Sequence, residues 1–211
     1  MLELFKAGGI AMWPLLACSI VSVAIVAERF WSLQTKRVAP KGLLVQIWQL
    51  DHAGQLDAKR IQQFRRASPL GRILAAGLAN RRSSRAVIKE SIEEMGHQVV
   101  HELEQFLNAL ATISSISPLL GLLGTVLGMI QMFNAITLKG VGDGSVVAGG
   151  IATALISTVS GLIVAIPTLI FYRYFRSRVD DLVMTMEIEA LKMVEVMHGE
   201  RDRENVSEGA N

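Results

Sequence analysis

The stretch SPLLGLLGTVLG, residues 117–128, decides the fold class of this protein. It is as apolar as a membrane helix, yet it carries three glycines and places Thr125 among them. A second apolar stretch contains STVSG, residues 157–161, with three hydroxyls and a glycine. Small residues let helix backbones approach closely where lipid offers no hydrophobic drive for association. Both stretches therefore predict membrane helices whose small faces contact protein.

The composition predicts three spans. The chain has 211 residues, of which 51% are hydrophobic, and uncharged stretches at 7–27, 106–138 and 145–172. A membrane helix needs about 20 apolar residues. The first stretch ends in AERFWSLQTKR, an aromatic and basic boundary typical of a retained span rather than a cleaved signal. A net charge of +2 does not indicate nucleic-acid binding, and the single Cys18 excludes a disulfide framework.

The basic residues predict the orientation. The segment 34–105 holds twelve Lys or Arg, and the part after Tyr172 holds six. The N-terminus and the loop at 139–145 hold one each. Because basic loops stay on the cytoplasmic side, we expect an outside N-terminus and an inside C-terminus. Three spans place the termini on opposite sides, in agreement with the charge.

The whole chain is predicted to be an all-α membrane protein. A stripe of apolar residues after the N-cap Ser84 indicates one long helix without interruption until Pro118. The segment between the first two spans is divided by DHAG and ASPLG into short helices. The predicted divisions are a periplasmic N-terminus at 1–9, a first span at 10–31, a cytoplasmic helical region at 32–105, a second span at 106–138, a periplasmic loop at 139–145, a third span at 146–173, a cytoplasmic helix at 174–199 and a disordered tail at 200–211.

The third span divides into two arcs. At 100° per residue, its large apolar side chains fall within about 140° of one another. They are Leu155, Ile156, Val159, Leu162, Ile163, Ile166, Leu169 and Ile170. The other arc holds the small residues Gly149, Gly150, Thr153, Ala154, Ser157, Thr158, Ser160, Gly161 and Ala165. A half-helix of small residues predicts close contact with another helix. The expected packing positions are Gly121, Gly124, Gly128, Gly150 and Gly161.

The depths of the hydroxyl side chains within the second and third spans suggest a polar path. Counted from the outer helix ends, Thr125 and Thr158 lie at nearly one level, about 18–20 Å inside by helical rise. The same count places Thr153 level with Gln131. We expect a pore or proton path lined by the hydroxyls of Thr125, Thr158, Thr153, Ser157 and Ser160.

A second interpretation of these hydroxyls stays open. A membrane Ser or Thr often bonds to the carbonyl four residues earlier and has no role in transport. Pro118 and Pro167, inside the second and third spans, are interpreted as helix kinks.

The segments ISPLLGLLGTVLGMIQMF and GIATALISTVSGLIVAIPTLIFYRYF closely resemble the ExbB, TolQ and MotA proton-channel family, and AIVAERFWSL resembles the matching ExbB region. Three spans favour ExbB or TolQ over the flagellar stator subunit. The resemblance implies a homopentamer in the bacterial inner membrane around a dimer of ExbD- or TolR-like single-span subunits. It implies use of the proton gradient to drive a TonB- or TolA-like transducer, with Thr125 and Thr158 lining the channel.

One position departs from the family pattern. Family members commonly read GIAEAL or GISEAL, with a glutamate where this chain has Thr153. The two long spans therefore contain no acidic or basic side chain. Because a proton relay needs a titratable carboxylate or a water wire, the resemblance implies that a partner aspartate supplies it. The departure also favours the alternative of a divergent, non-conducting scaffold for an envelope complex.

Other candidate sites are weaker. His97 and His101 are four residues apart, but a third ligand at a fixed spacing is missing, so we expect a solvated helix face and no metal. GVGDG lacks the Lys-Ser/Thr of a phosphate loop. We expect no catalytic triad, no enzyme activity and no cofactor.

Overall fold

The computed structural model describes residues 9–139 and 144–197. All regular structure in these residues is helical. Eight helices are found there, and we number them in chain order. They are α1 Met12–Ser32, α2 Thr35–Val38, α3 Leu43–His52, α4 Ala58–Ala67, α5 Pro69–Ala79, α6 Arg85–Glu104, α7 Leu107–Lys139 and α8 Gly144–Met197. The all-α prediction is confirmed.

Three stretches of helix are long and apolar enough to cross a membrane. They are Met12–Ser32, Arg85–Asn134 and Val147–Met197. The uncharged parts of the second and third stretches lie in α7 and in the first half of α8. This agrees with three predicted spans, and the chain is a membrane protein.

The chain forms two compact units. The first consists of Met1–Glu28 and Phe106–Tyr174, and the second of Arg29–Gln105 and Phe175–Asn211. We call them the span unit and the helical unit. Helices α1 and α8 each contribute to both units, because neither helix stops where the apolar sequence ends.

Local sequence explains how the short helices of the helical unit begin. Helix α4 follows Asp57, whose side chain accepts a hydrogen bond from the Arg60 amide at 3.1 Å. Helix α5 starts at the predicted ASPLG break, where Ser68 accepts from the Gly71 amide at 3.0 Å. The following proline, Pro69, occupies the first helical turn, where its missing N–H costs nothing.

In the core of the helical unit, α5 and α6 pack with the parts of α1 and α8 that belong to this unit. Phe30 of α1 meets Phe175 of α8 edge to face, with ring centroids 5.0 Å apart. Arg178 of α8 donates to the Thr35 hydroxyl at 2.6 Å. The buried apolar positions of α8 follow the helical period and include Val179, Leu182, Met186, Ala190, Met193 and Val194.

The predicted uninterrupted helix from Ser84 to Pro118 is wrong. Helix α6 ends at Glu104, and α7 begins at Leu107. Between them Phe106 adopts φ +67°, a left-handed conformation that is uncommon for a residue other than glycine. Ser84 holds the N-cap position of α6, although its side chain makes no capping bond. Because neither Gly nor Pro marks the break, the local sequence lacks a breaking residue there.

Two of the predicted segments lie in one continuous helix, and others lie outside the described residues. The third span at 146–173 and the cytoplasmic helix at 174–199 lie in α8, which continues through Pro167. Helix α7 likewise continues through Pro118, so kinks at the two prolines stay predictions. Residues 1–8, 140–143 and 198–211, which hold most of the predicted N-terminus and loop and all of the tail, lie outside the described residues.

Candidate functional site

Within the span unit, α7 and α8 meet along a seam of small residues. A methyl group at Gly161 would lie 2.6 Å from the Ser117 carbonyl oxygen. One at Gly121 would lie 3.1 Å from the Thr158 Cα, and one at Gly128 would lie 3.3 Å from the Ala154 amide nitrogen. Real Cβ atoms essentially never approach another atom as closely as 2.6 Å, and the contacts at Gly121 and Gly128 are tighter than most real ones. The seam therefore requires glycine at Gly161 and leaves little room for a side chain at Gly121 and Gly128.

Close contact continues at the end of the seam near Met132 of α7. A methyl group at Gly150 would lie 2.7 Å from the Met132 Cβ. Together with the contacts at Gly161, Gly121 and Gly128, this contact shows that α7 and α8 approach closely from Ser117 to Met132 of α7, with a glycine on at least one of the two helices at each of these contacts.

The middle of the seam contains Ser157. Its side chain is 0% exposed and occupies the space that a Cβ at Gly124 would need. Its hydroxyl has no hydrogen-bond partner among the described residues. The same Gly124 position is closed from another side by Ala11, just before α1, whose Cβ would lie 3.2 Å away. The sequence predicted Ser157 as a pore-lining residue, but here it fills the interface of two helices within one chain.

The other candidate hydroxyls are half-buried. Thr125, Thr153, Thr158 and Ser160 all retain partial exposure. Thr125 Oγ1 donates to the Leu122 carbonyl at 2.6 Å, and Thr153 Oγ1 donates to the Gly149 carbonyl at 3.0 Å. Such bonds match the alternative interpretation of membrane hydroxyls. They use the hydroxyl proton and leave oxygen lone pairs available as acceptors.

Ser160 and Thr153 differ in their surroundings. Ser160 Oγ donates to the Ile156 carbonyl at 2.8 Å. Thr153 lies under the chain just before α1, since a Cβ at Gly9 would be 3.7 Å from its Cγ2. Thr153 is therefore covered in part by the residues that precede α1.

The predicted level of the two threonines needs correction. Thr158 lies against Gly121, so it is about one helical turn, roughly 5 Å, from the level of Thr125. Likewise Ala154 lies against Gly128, which places Thr153 nearer to Gly128 than to Gln131. The sequence-based count assumed matched helix ends, whereas close glycine contacts set the register. Pairing the small residues of the two helices by their common spacing is the pattern that predicts this register.

The arcs predicted for the third span are confirmed except at Gly149, which is exposed and has no atom within 4 Å of an added Cβ. The large apolar side chains of one arc are exposed on the span unit, and Leu155, Val159, Leu162, Ile163, Ile166, Leu169 and Ile170 are among them. The small arc faces inward at Ala154, Ser157, Gly161 and Ala165. Sequence reasoning missed Ser117, which is fully buried and donates to the Ile113 carbonyl at 2.7 Å. Its spacing from Gly121 and Gly124 is the pattern that could have indicated it.

Two further sequence candidates belong to the helical unit. His97 and His101 are exposed on α6. In residues 9–139 and 144–197, no group of three or more His, Cys, Asp or Glu side chains could hold a metal ion.

Comparisons with known proteins agree with the geometry. Residues 65–188 match the model of the MotA/TolQ/ExbB proton channel family. The chain is 36% identical over 176 residues to the Synechocystis sp. protein named "Putative biopolymer transport protein ExbB-like 3", covering 81% of this chain and 82% of that protein. It is 32% identical to biopolymer transport protein exbB1 of Vibrio cholerae, with 75% and 72% covered. It is 31% identical to Tol-Pal system protein TolQ of Haemophilus influenzae, with 74% and 65% covered.

Proposed function

This chain belongs to the MotA/TolQ/ExbB proton channel family, and we propose that it is the channel-forming subunit of a proton-driven complex in the bacterial inner membrane. Its family is one of proton channels rather than enzymes. In this proposal the N-terminus is periplasmic and the C-terminus cytoplasmic, since the basic residues concentrate in 34–105 and after Tyr172.

The observation that carries the proposal is the position of Thr125 and Thr158. Both are half-buried, and the Thr158 backbone packs against Gly121 at the glycine seam. Two hydroxyls within about one helical turn can solvate a mobile proton carrier between them. Thr153 and Ser160 belong to the small arc of α8 but lie about 140° and about 200° around the helix from Thr158, and Ser157 belongs to the packing between α7 and α8.

A carboxylate is required from outside the chain. Residues 106–138 and 145–172 contain no acidic or basic side chain. Intramembrane proton transfer usually uses a titratable group. We therefore propose that a dimer of ExbD- or TolR-like single-span subunits brings an aspartate to this face, inside a homopentamer of this chain. The proton flux would then energise a TonB- or TolA-like transducer.

A non-conducting scaffold is the second candidate. It is favoured by Thr153, which stands where family members commonly have a glutamate, and by the bond from Thr125 Oγ1 to the Leu122 carbonyl. A scaffold would need the glycine seam for assembly but would not need the two threonine hydroxyls.

The test separates these candidates by removing hydroxyls without changing shape. Thr125→Val combined with Thr158→Val keeps β-branching and deletes both hydroxyls. The complex, co-expressed with a single-span ExbD- or TolR-like partner, is reconstituted in liposomes, and proton uptake is followed with a pH-sensitive dye. We expect at least a tenfold loss of flux, as is usual when a positioned proton-transfer group is removed.

A matched control lies on the same helix. Thr112 and Thr137 are exposed threonines of α7 whose hydroxyls donate to carbonyls four residues earlier, at 2.8 Å and 2.6 Å. Changing both to valine should leave flux unchanged. Native mass spectrometry should show the same oligomer for both double variants. Full flux in the Thr125/Thr158 variant would identify these residues as packing residues, whereas the absence of proton flux from the unsubstituted complex would favour the scaffold.

A further inference from the structure

An open groove of about 630 Å³ lies within the helical unit, between α4, α5 and α6. On α5 it is lined by Ala75, Ala76 and Ala79, whose short side chains leave the space between the helices unfilled. Ile61 of α4 and Met95 of α6 contribute to a lining that is mostly apolar. All of these residues belong to the helical unit, so the groove is separate from the glycine seam.

Two exposed arginines line this groove without an ion pair. They are Arg65 of α4 and Arg81, just after α5. Neither pairs with a carboxylate within residues 9–139 and 144–197. Arg72 lines the groove as well, but it donates to both carboxylate oxygens of Glu102, at 2.5 Å and 2.9 Å. Arg65 and Arg81 are therefore the cations for which an occupant of the groove would supply negative charge.

The surface around the groove is basic. Asp57 and Glu94 line the groove too, and the Asp57 side chain caps α4 by accepting from the Arg60 amide. Between Asp57 and Glu90, however, the chain contains nine Lys or Arg and no Asp or Glu. These residues run from α4 through α5 into the start of α6. A surface with one predominant sign of charge attracts a segment of the opposite sign.

The last part of the chain has the complementary charge. Residues 198–211, HGERDRENVSEGAN, contain four acidic residues and two arginines, so acidic side chains outnumber basic ones. The segment also contains one aliphatic side chain of some size, Val206, between Glu204 and Glu208. It therefore offers both carboxylates for the arginines and an apolar group for the alanine lining.

Helix α8 brings this segment within reach of the groove. Met193 of α8 packs against Gly77 of α5, where an added Cβ would overlap its Cε. The neighbouring residue Ala76 lines the groove. Helix α8 extends to Met197, and residues 198–211 can span roughly 45 Å when extended. That length exceeds the width of one helix, about 10–12 Å, several times.

We propose that residues 198–211 bind this groove within the same chain, with their carboxylates at Arg65 and Arg81 and Val206 against the alanine lining. Exposed charge pairs are individually weak. A tethered segment, however, meets its site at an effective concentration in the millimolar range, so a few weak pairs suffice to hold it. The bound segment closes the groove to acidic segments of other proteins until it is displaced.

The experiment measures the rate of disulfide formation in the full chain in detergent. All variants carry Cys18→Ser, so that only introduced cysteines react. Gln62→Cys is combined with Val206→Cys, because Gln62 is exposed and lines the groove. The matched control combines Gln63→Cys with Val206→Cys, because Gln63 is also exposed on α4 but does not line the groove.

We expect the disulfide to form about fivefold faster from position 62 than from position 63, a size that a few exposed charge pairs can produce. Adding Arg65→Gln and Arg81→Gln should lower the rate from position 62 to that from position 63. Replacing the acidic residues Glu200, Glu204 and Glu208 with glutamine should do the same. Lys36→Gln removes an exposed charge of α2 outside the groove, so it should leave the rate unchanged.

Equal rates from positions 62 and 63 would overturn the proposal. A difference that survives Arg65→Gln with Arg81→Gln would also overturn it, because the arginines would then not hold the segment. Mass spectrometry on a mixture of isotope-labelled and unlabelled chains shows which chains are linked. A disulfide within one chain supports the proposal, whereas one between two chains would overturn it in favour of exchange of the segment between copies.

Discussion

The side chain of Ser157 on α8 occupies the space that a Cβ would need at Gly124 on α7. Ser157 is fully buried there, and its hydroxyl has no partner in the described part of the chain. One glycine and one serine therefore form a single packing unit between two membrane helices. Such a pair is coupled, because changing either residue alters the space available to the other.

Gly124→Ala should destabilise the protein by about 1–3 kcal/mol, the usual cost of overpacking an interior. Because the added methyl overlaps Ser157, combining it with Ser157→Gly should recover most of the loss. Thermal unfolding in detergent measures both variants.

The control for this pair is Gly149→Ala, since Gly149 lies in α8 with no atom within 4 Å of an added Cβ. It should not destabilise the protein, because alanine favours a helix over glycine. Additive losses in the double variant would contradict direct overlap between residues 124 and 157.

Gly161→Leu should prevent correct assembly of the protein, whereas Val159→Leu should leave assembly unchanged. Gly161 faces the Ser117 carbonyl, while Val159 is 54% exposed on the opposite arc of α8. A leucine at 161 forces the two backbones apart where no water can fill the gap. The assembly of the two variants is compared by size-exclusion chromatography and native mass spectrometry. Equal assembly of both variants would contradict the division of α8 into a small arc that packs and a large arc that is exposed.

The Arg72–Glu102 pair should contribute to stability in a pH-dependent way. Arg72 lowers the pKa of Glu102, so the contribution is complete above the unfolded value of about 4.3 and is lost as pH falls through the folded pKa. Arg72→Gln should therefore lower the unfolding temperature at pH 7 and change it little near pH 3.

The effect should stay below about 1 kcal/mol, since Glu102 is half exposed and screened by solvent. The control is Arg82→Gln, an exposed arginine after α5. A pH-independent difference between wild type and Arg72→Gln would indicate that Arg72 acts by packing rather than through the charge of Glu102.

The arcs of α8 were predictable because residue size and helical period are local properties. Leu155 and Val159 face outward, and Gly161 and Ala165 face inward, as their spacing requires. The relative level of α7 and α8 was less predictable. Counting from helix ends placed Thr158 level with Thr125, but close contact between Gly121 and Thr158 sets a different register.

The ends of helices show the same limit. Ser68 and Pro69 indicate the start of α5, because the capping bond of a serine and the ring geometry of a proline act within a few residues. The break at Phe106 has no such local sign. There, Arg29 bonds the Leu103 carbonyl across 74 positions of sequence, and a contact of that separation is not visible in the local pattern.

The sequence by itself determined the number of spans, their small and large faces and the family to which the chain belongs. These features follow from apolar length, helical period and motifs that are continuous along the chain. Only the tertiary structure decided the register of α7 on α8, the burial of Ser157 and the convergence of Arg65, Arg72 and Arg81 on one groove. Each depends on which distant side chains have room to meet, a matter of packing in three dimensions.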